Sequence, residues 1–480
     1  MLFDLPRRLF CRPGTSRLYW CVLTGIASLV MACGGGASGG AATAPDTSTS
    51  TGAETVTVAL PPSTLTLNLP AQGLGPSDLA VIVAQGNANS EDIATYYQNA
   101  RGIPAANIIR VAVASGSDTI SAADFALLKA DLDAKLPSSV QATLITWTAP
   151  SRVVGSCTMG ITSALAFGFD PKYCGTGCSS TAASSYFDSE TSQPWSSHGI
   201  RPSMLLGSSS LAAARLLIDR GISADATYPT GDGYLLRTSD AARSVRYPDY
   251  APLPTRWTGS SGLQLSYIDN STGGASDTIN NKSNVLFYFT GQTSVAGIAS
   301  NRFRPGAAAD HLTSYGGYLP SGNGQMSVTA WLDGGATASY GTVAEPCNYT
   351  QKFSQASVLI DHYYRGDSLL EAYWKSVQWP GQGLFVGEPL AQPFRDNPSL
   401  TISAGRYAIS TRGLRSGSHY ALEYRVAPAT NWTTLASFTG SRLQPATLSA
   451  PLAPGNATQL RWVGPCAADA TLQCTLGSSN

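Results

Sequence analysis

Three short apolar runs alternate with two amphipathic segments between residues 79 and 147. The runs LAVIVAQG (79–86), IIRVAV (108–113) and ATLITW (142–147) are typical of strands that a parallel sheet buries on both faces. The segments between them, 89–102 and 121–136, carry apolar residues at helical spacing. This alternation predicts the α/β class, with a mostly parallel sheet flanked by helices, because parallel neighbours need crossover connections that helices supply.

The remainder of the chain predicts a continuation of this domain and then a second domain. Residues 148–203 are rich in Gly, Ser, Cys and Pro, which predicts an irregular excursion over the carboxyl edge of the sheet. Strand-like and helix-like segments then continue to LFVGEPLA (384–391). From about residue 395, short alternating strands separated by turn residues indicate a fibronectin- or immunoglobulin-like β-sandwich. We therefore expect an α/β domain at 58–394 and a sandwich at 395–480.

The N-terminus predicts export and a lipid anchor. Arginines precede the apolar run 18–31, which is too short for a comfortable membrane span and has the layout of a signal peptide. The run ends LVMAC and resembles a bacterial lipobox, so we expect a signal peptide at 1–32, lipidation of Cys33 and a flexible tether at 33–57. An ordinary cleaved signal is the alternative, and the protein would then be periplasmic or secreted. Gly34 favours the outer membrane, because inner-membrane retention expects Asp there.

Charge and motif content exclude several partners and cofactors. Only 12% of the residues are charged and the formal net charge is zero, so the chain has no basic excess to neutralise nucleic acid phosphates. The sequence contains no P-loop and no G-x-G-x-x-G placed after a strand. We therefore expect no nucleic acid partner and no cofactor.

The cysteines agree with export. Six of the nine remain once the signal and the lipidated residue are set aside, and an even number in an oxidising compartment predicts disulfides. Cys466 and Cys474 flank a short loop and are the predicted pair, whereas the sequence leaves the pairing of the others open: Cys157, Cys174, Cys178 and Cys347. The C-x3-C spacing within 173–178 suggests zinc less strongly than a disulfide, because no second Cys or His pair lies nearby; we expect no metal.

The central region is similar to an uncharacterised family of exported bacterial proteins. That family has no established activity, so this resemblance identifies a relative without implying a function. The motifs that carry it are YYQNARGIPAANII (96–109), LLIDRGISAD (216–225), RTSDAARSVR (237–246), ADHLTSYGG (309–317), GATASYGTVAEPCNYTQKF (335–353) and EAYWKSVQWPGQGLFVGEPLA (371–391).

A more distant resemblance connects the same region to gingipain-type cysteine peptidases of the caspase-like group. In that family the strand resembling NVLFYFTG (284–291) leads to the catalytic His, and the strand resembling DHLTSYGG (310–317) ends in the nucleophilic Cys. Here Gln292 stands at the first place and Ser314 is the nearest residue to the second. Gln cannot take a proton near neutral pH, and Ser without a base is a poor nucleophile. The resemblance therefore implies a caspase-like fold without the Cys–His dyad.

The segment ADHLTSYGG also places Asp310, His311 and Ser314 close together. Side chains alternate along a strand, so Asp310 and Ser314 face one side and His311 the other, which excludes a triad built from these neighbours. Ser314 remains a candidate nucleophile if its base comes from elsewhere, and otherwise it hydrogen-bonds the following glycine turn. The candidate bases are His198, His362 and Glu345, and Asp310 is expected to cap or to pair with an arginine such as Arg302 or Arg304.

Cys347 is the second candidate nucleophile, with His311 as its base. Its alternative is a disulfide to the 157–178 region, which an oxidising compartment favours. The predicted binding residues at this strand edge are Gln292, Asp310, Tyr315, Glu345 and Asn348.

Three functions follow as expectations. The first is a binding module for a peptide, protein or glycan, attached to the membrane through Cys33. The second is a peptidase-like hydrolase that uses Ser314 or Cys347. The third is a structural envelope protein without a ligand site.

Overall fold

The computed structural model describes residues 53–60, 63–70, 73–114 and 116–466. The predicted signal peptide, Cys33 and Cys474 lie outside these residues, so the expected lipidation and the Cys466–Cys474 pair stay predictions. None of the helices in the described part is long and apolar enough to cross a membrane.

The strands in chain order are β1 Ala53–Leu60, β2 Ser63–Pro70, β3 Leu79–Ala84, β4 Ile108–Val111, β5 Thr119–Ser121, β6 Ala142–Ile145, β7 Arg152–Val154, β8 Thr158–Gly160, β9 Ser203–Leu205, β10 Gly231–Arg237, β11 Leu263–Asp269, β12 Val285–Gly291, β13 Phe303–Leu312, β14 Ala338–Thr342, β15 Gly383–Gly387, β16 Ser399–Ser403, β17 Arg406–Thr411, β18 His419–Arg425, β19 Thr433–Thr439, β20 Ala446–Pro451 and β21 Gln459–Cys466. The α-helices are α1 Ala88–Arg101, α2 Ala122–Lys135, α3 Ile161–Phe167, α4 Pro194–His198, α5 Leu211–Ala224, α6 Tyr247–Tyr250, α7 Leu253–Arg256, α8 Thr329–Asp333, α9 Ala356–Tyr364 and α10 Leu369–Ser376.

A ten-stranded sheet in the order β11-β10-β12-β13-β14-β15-β9-β6-β3-β4 forms the centre of the α/β region. The strands β4, β3, β6, β9 and β15 run parallel to one another, and so do β11, β10, β12, β13 and β14. The two parallel halves meet at β14 and β15, which pair antiparallel. The predicted α/β class with a mostly parallel sheet is confirmed.

Local sequence signals explain the helices that cover this sheet. Helix α1 begins after Asn87, whose side chain accepts a hydrogen bond from the Ser90 N–H, and it ends at Gly102 in the left-handed conformation. Helix α10 begins with a capping box in which Ser368 and Glu371 satisfy each other's backbone N–H groups. The caps of α1, Asn87 and Gly102, lie within about two residues of the limits of the predicted segment 89–102.

The C-terminal strands form two three-stranded antiparallel sheets, β16-β17-β20 and β19-β18-β21, as the sequence predicts. The antiparallel hairpin β1–β2 adds to their shared apolar core through Val58, Leu65, Leu67 and Leu69. The sequence assigns residues 53–57 to the tether and the following hairpin residues to the α/β domain. The structure corrects both assignments, because the hairpin is a strand pair whose apolar side chains pack on the sandwich.

Two disulfides fasten the excursion at 148–203. Cys157 is bonded to Cys174, and Cys178 is bonded to Cys347 beyond β14. Because Cys174 and Cys178 belong to different disulfides, neither offers a thiolate, and the C-x3-C segment is not a zinc site in this structure.

The junction between β14 and β15 is closely packed, which makes it sensitive to added volume. Gly387 pairs with Ala338 there, at a φ of +134°, and a Cβ atom at Gly387 would lie 2.5 Å from the Ala338 Cα. Replacement by Ala therefore adds backbone strain and a steric clash.

We expect Gly387→Ala to lower the free energy of unfolding by about 3 kcal/mol or more, measured by chemical denaturation. Gly455→Ala is the matched control, because nothing lies within 4 Å of its added Cβ. A Gly387→Ala chain as stable as the control would contradict the packing described for this junction.

Candidate functional site

The predicted cleft residues follow three neighbouring strands. Gln292 follows β12, Ser314 and Tyr315 follow β13, and Glu345 lies beyond β14. Because these strands are parallel, their carboxyl ends meet at one edge of the second half of the sheet, as the sequence predicts. What each side chain does at this edge decides whether it can support chemistry.

Asp310 belongs to a buried ion pair. It is 1% exposed, its Oδ1 lies 2.7 Å from Nη1 of Arg246, and the Ser354 hydroxyl donates to its Oδ2. Burial raises the pKa of Asp310, and the positive charge of Arg246 acts against that effect. The predicted pairing of Asp310 with an arginine is confirmed, but the partner is Arg246 and not Arg302 or Arg304. Removing one member of such a buried pair typically costs about 3–5 kcal/mol, so Asp310 is structural and does not face a ligand.

His311 is a fully hydrogen-bonded core histidine. Its Nδ1 accepts from the Trp331 indole at 3.0 Å, and its Nε2 lies 3.1 Å from the Met326 carbonyl oxygen, to which it donates. Burial of the imidazole lowers the pKa of His311 to about 3. The prediction of His311 as a catalytic base is therefore wrong, because both nitrogens are occupied and the ring stays neutral. His311 and Asp310 point to opposite faces of β13, towards Trp331 and Arg246 respectively, which confirms the predicted alternation of side chains along the strand.

Ser314 has no base beside it. Among the described residues no hydrogen bond reaches its hydroxyl, and only its carbonyl is engaged, by the Thr342 hydroxyl at 2.9 Å. The predicted hydrogen bond from Ser314 to the glycine turn is also absent there. Gln325 holds the turn instead, by accepting from the Thr313 hydroxyl and the Tyr315 N–H.

The three predicted bases for Ser314 are engaged elsewhere. His362 is buried between Asp367 and Asp188, with nitrogen–oxygen distances of 2.9 and 3.0 Å. His198 hydrogen-bonds Ser189 at 3.0 Å, and Glu345 is exposed and accepts from the Cys347 N–H. The arrangement therefore lacks the proton acceptor that a serine nucleophile requires.

Cys347 has no free thiol because it is bonded to Cys178. The prediction of Cys347 as a nucleophile is thus wrong in this structure, and the alternative of a disulfide to the excursion is confirmed. The disulfide loop leaves Asn348 exposed with a φ of +60°.

Gln292 and Tyr315 are the remaining predicted binding residues. The side-chain oxygen of Gln292 is buried without a hydrogen-bond partner in the described part of the chain, and the Tyr315 ring packs edge-on against Tyr318. Such groups can accept a hydrogen bond or cover a ligand, and among the described residues no hydrogen bond joins either side chain to a base. This edge of the sheet therefore retains polar side chains without a nucleophile–base pair.

A cavity lies at the opposite edge of this half of the sheet, beside the amino ends of β10 and β11, where the α/β domain meets the sandwich. We call it the junction cavity; it has a volume of about 540 Å³, within the range of small-molecule sites. Thr230 precedes β10, Gly262 precedes β11, and Arg412 follows β17, so both domains contribute to its walls. Carbon atoms form most of its lining.

Arg412 is the charged group of the junction cavity. It is 5% exposed, and it takes part in none of the ion pairs between described residues. Its guanidinium makes one hydrogen bond, from Nη2 to the Tyr364 carbonyl at 3.3 Å, and its Nε is buried without a partner. The rings of Tyr364, Phe394 and Tyr228 lie 4.9–5.3 Å from its Cζ. Burial lowers the pKa of Arg412, although the group remains a cation.

Asp396 positions Arg412 without pairing with its guanidinium. The carboxylate accepts from the Thr411 hydroxyl and from the N–H groups of Arg412 and Gly413. Burial raises the pKa of Asp396 to about 6. These hydrogen bonds fix the backbone at the end of β17 and direct the Arg412 side chain towards the aromatic rings.

A smaller cavity of about 240 Å³ lies where α1 and α5 begin, beyond the carboxyl ends of β6 and β9. Its Ser90 and Thr146 hydroxyls hydrogen-bond each other at 2.6 Å, and Ser210 caps α5. These polar groups are used in capping and in holding β6 to α1, so the junction cavity is the better candidate for a ligand.

Comparison with known proteins adds no relative: the sequence matches no family model, no curated protein and no solved structure at a significant level. The caspase-like resemblance therefore rests on the sequence motifs alone.

Sequence reasoning missed Arg246 and Arg412. Arg246 lies within RTSDAARSVR, where it resembles a surface residue of a helix start, and Arg412 lies in a turn of the sandwich. The one available signal was the aromatic content of the segments around Tyr228 and Phe394, which does not by itself indicate a shared cavity.

His311→Gln should weaken the dependence of stability on pH. The folded-state pKa of His311 is about 3, below the usual 6.5, so its contribution to stability is complete above pH 6.5 and is lost as pH falls towards 3. We expect the slope of unfolding free energy against pH between 6 and 4 to fall by up to about 1.4 kcal/mol per pH unit.

The control for this measurement is His419→Gln, which replaces an exposed histidine of the sandwich. It should leave the slope close to that of the original chain. An unchanged slope in His311→Gln would show that the imidazole is not held neutral.

Proposed function

We propose that the protein is an exported module of the cell envelope that binds a ligand and does not hydrolyse it. The observation that carries this proposal is that every predicted catalytic side chain is occupied or lacks its partner. Among the described residues, Cys347 is in a disulfide, His311 is kept neutral by burial with both ring nitrogens hydrogen-bonded, and Ser314 has no adjacent base. Nucleophilic catalysis needs both an activated nucleophile and a proton acceptor.

The junction cavity supports binding as the remaining function. Ligand sites occur preferentially at domain interfaces, where two sets of loops can supply a few polar groups within apolar walls. A buried guanidinium that lacks a carboxylate partner is costly to a folded chain, and a ligand anion would offset that cost. Of the expected ligand classes, a peptide or a protein segment suits this cavity better than a glycan, because the rings near Arg412 face its guanidinium.

Export and membrane attachment belong to the same proposal. The disulfides Cys157–Cys174 and Cys178–Cys347 are compatible with an oxidising compartment. The signal-like N-terminus and Cys33 favour a lipid anchor, with the outer membrane as its site. The anchor would hold the binding module at the membrane surface, within reach of ligands in the envelope.

The test is peptide-mapped mass spectrometry of the unreduced protein after treatment with a fluorophosphonate and iodoacetamide. We expect no fluorophosphonate adduct on Ser314 and no alkylation of the four bonded cysteines until they are reduced, because neither an activated hydroxyl nor a free thiol is available.

Ser314→Ala is the matched control, since it removes only the candidate hydroxyl. A fluorophosphonate adduct that maps to Ser314 and disappears in Ser314→Ala would overturn the proposal in favour of a serine hydrolase. Alkylation of Cys347 before reduction would do the same in favour of a cysteine hydrolase.

A further inference from the structure

The charge of Arg412 indicates the sign of the ligand. A guanidinium has five N–H donors, and among the described residues one donor of Arg412 has a hydrogen-bond partner. Arg412 is nevertheless more than nine-tenths buried and lines the junction cavity. A carboxylate can accept two parallel hydrogen bonds from a guanidinium, which a neutral group cannot do with equal strength.

The charge of Asp396 limits the ligand to a single negative charge. Its carboxylate lines the same cavity and acts electrostatically on Arg412. A dianion such as a phosphate monoester would meet one cation and one anion there, so repulsion from Asp396 would oppose its second charge. A monoanion would pair with Arg412 at a smaller cost.

The residues that line the junction cavity indicate which chemical groups the ligand carries beside its anionic group. Tyr228 and Phe394 both line the cavity; Phe394 is buried, whereas Tyr228 is 44% exposed, so the Tyr228 ring can cover a ligand. Thr230 and Ser410 also line the cavity, and neither hydroxyl makes a hydrogen bond to a described residue. Such hydroxyls can pair with an amide group.

We propose that the junction cavity binds a monoanionic carboxylate flanked by an amide and an apolar side chain, the chemistry of an N-acylated amino acid or of a peptide carboxyl terminus. This inference rests on the proposed binding function and names its ligand class. Arg412 holds the carboxylate, Tyr228 and Phe394 cover the apolar group, and Thr230 and Ser410 contact the amide.

The first test uses isothermal titration calorimetry of the full chain with N-acetylphenylalanine and with its neutral amide, N-acetylphenylalaninamide. These two probes differ only at the carboxyl group, which is an anionic carboxylate in the acid and a neutral carboxamide in the amide. We expect the acid to bind at least tenfold more tightly than the amide, because only the acid can form a charge-assisted pair with Arg412. The acid should also raise the unfolding temperature in proportion to its occupancy.

A longer probe distinguishes between the two possible ligands, an N-acylated amino acid and a peptide carboxyl terminus. If acetyl-Ala-Ala-Phe binds more tightly than N-acetylphenylalanine, the natural ligand is a peptide carboxyl terminus that extends out of the cavity. Equal affinity indicates a small N-acylated acid. Both results support the inference.

Substitutions in the junction cavity test whether the probes bind there. Arg412→Gln should reduce the affinity for the acid at least tenfold and abolish the preference for the acid over the amide. Arg406→Gln is the matched control, because it removes an exposed arginine of β17, the strand that Arg412 follows, and Arg406 does not line the cavity. If Arg412→Gln does not fold, Tyr228→Leu replaces it as the test; this exposed site should fold and lose affinity severalfold.

Equal binding of acid and amide, or full affinity in Arg412→Gln or Tyr228→Leu, would overturn the inference. Absence of binding by every probe to the folded chain would also overturn this inference. In that case, the absence of a fluorophosphonate adduct on Ser314 would still support the proposed binding function. A labelled Ser314 would overturn that function independently of the calorimetry.

Discussion

The antiparallel pairing of β14 with β15 is the constraint on which the rest of the structure depends. It joins two parallel half-sheets through five residue pairs, from Ala338–Gly387 to Thr342–Gly383, all buried. Helix α10 covers it: Tyr373 donates to the Ala338 carbonyl, and Trp374 stacks on Phe385 at 4.3 Å between ring centroids. Because strand direction reverses here, the carboxyl ends of the two halves open at opposite edges of the sheet.

This reversal separates the features that one continuous parallel sheet would place together. The polar segment after β13 lies at one edge, where Arg246 and Trp331 hold Asp310 and His311 inside the protein. The amino ends of β10 and β11 lie at the other edge and meet the sandwich around Arg412. The first arrangement stabilises the fold, whereas the second leaves a cation incompletely paired. That difference is the physical basis for expecting binding at the domain interface.

Sequence patterns predicted what depends on local periodicity. The buried run at β3, the capped helix α1 and the opposite directions of Asp310 and His311 follow from spacing alone, and the oxidising context favoured the disulfide of Cys347. Properties that depend on distant partners were not predictable. The apolar pattern of LFVGEPLA (384–391) is the same for a parallel and for an antiparallel strand, so it does not predict the direction of β15. No feature of the sequence of β1–β2 indicates that this hairpin packs on the sandwich. The burial of Arg412 depends on Phe394 and Tyr228, which belong to other segments.

The most direct measurement is a crystal structure of the full chain grown with N-acetylphenylalanine. The account predicts the intact acid in the junction cavity, with its carboxylate oxygens about 2.8 Å from the guanidinium nitrogens of Arg412. An acid bound beside Ser314 with the junction cavity empty, or a ligand whose acetyl group has been removed, would contradict it.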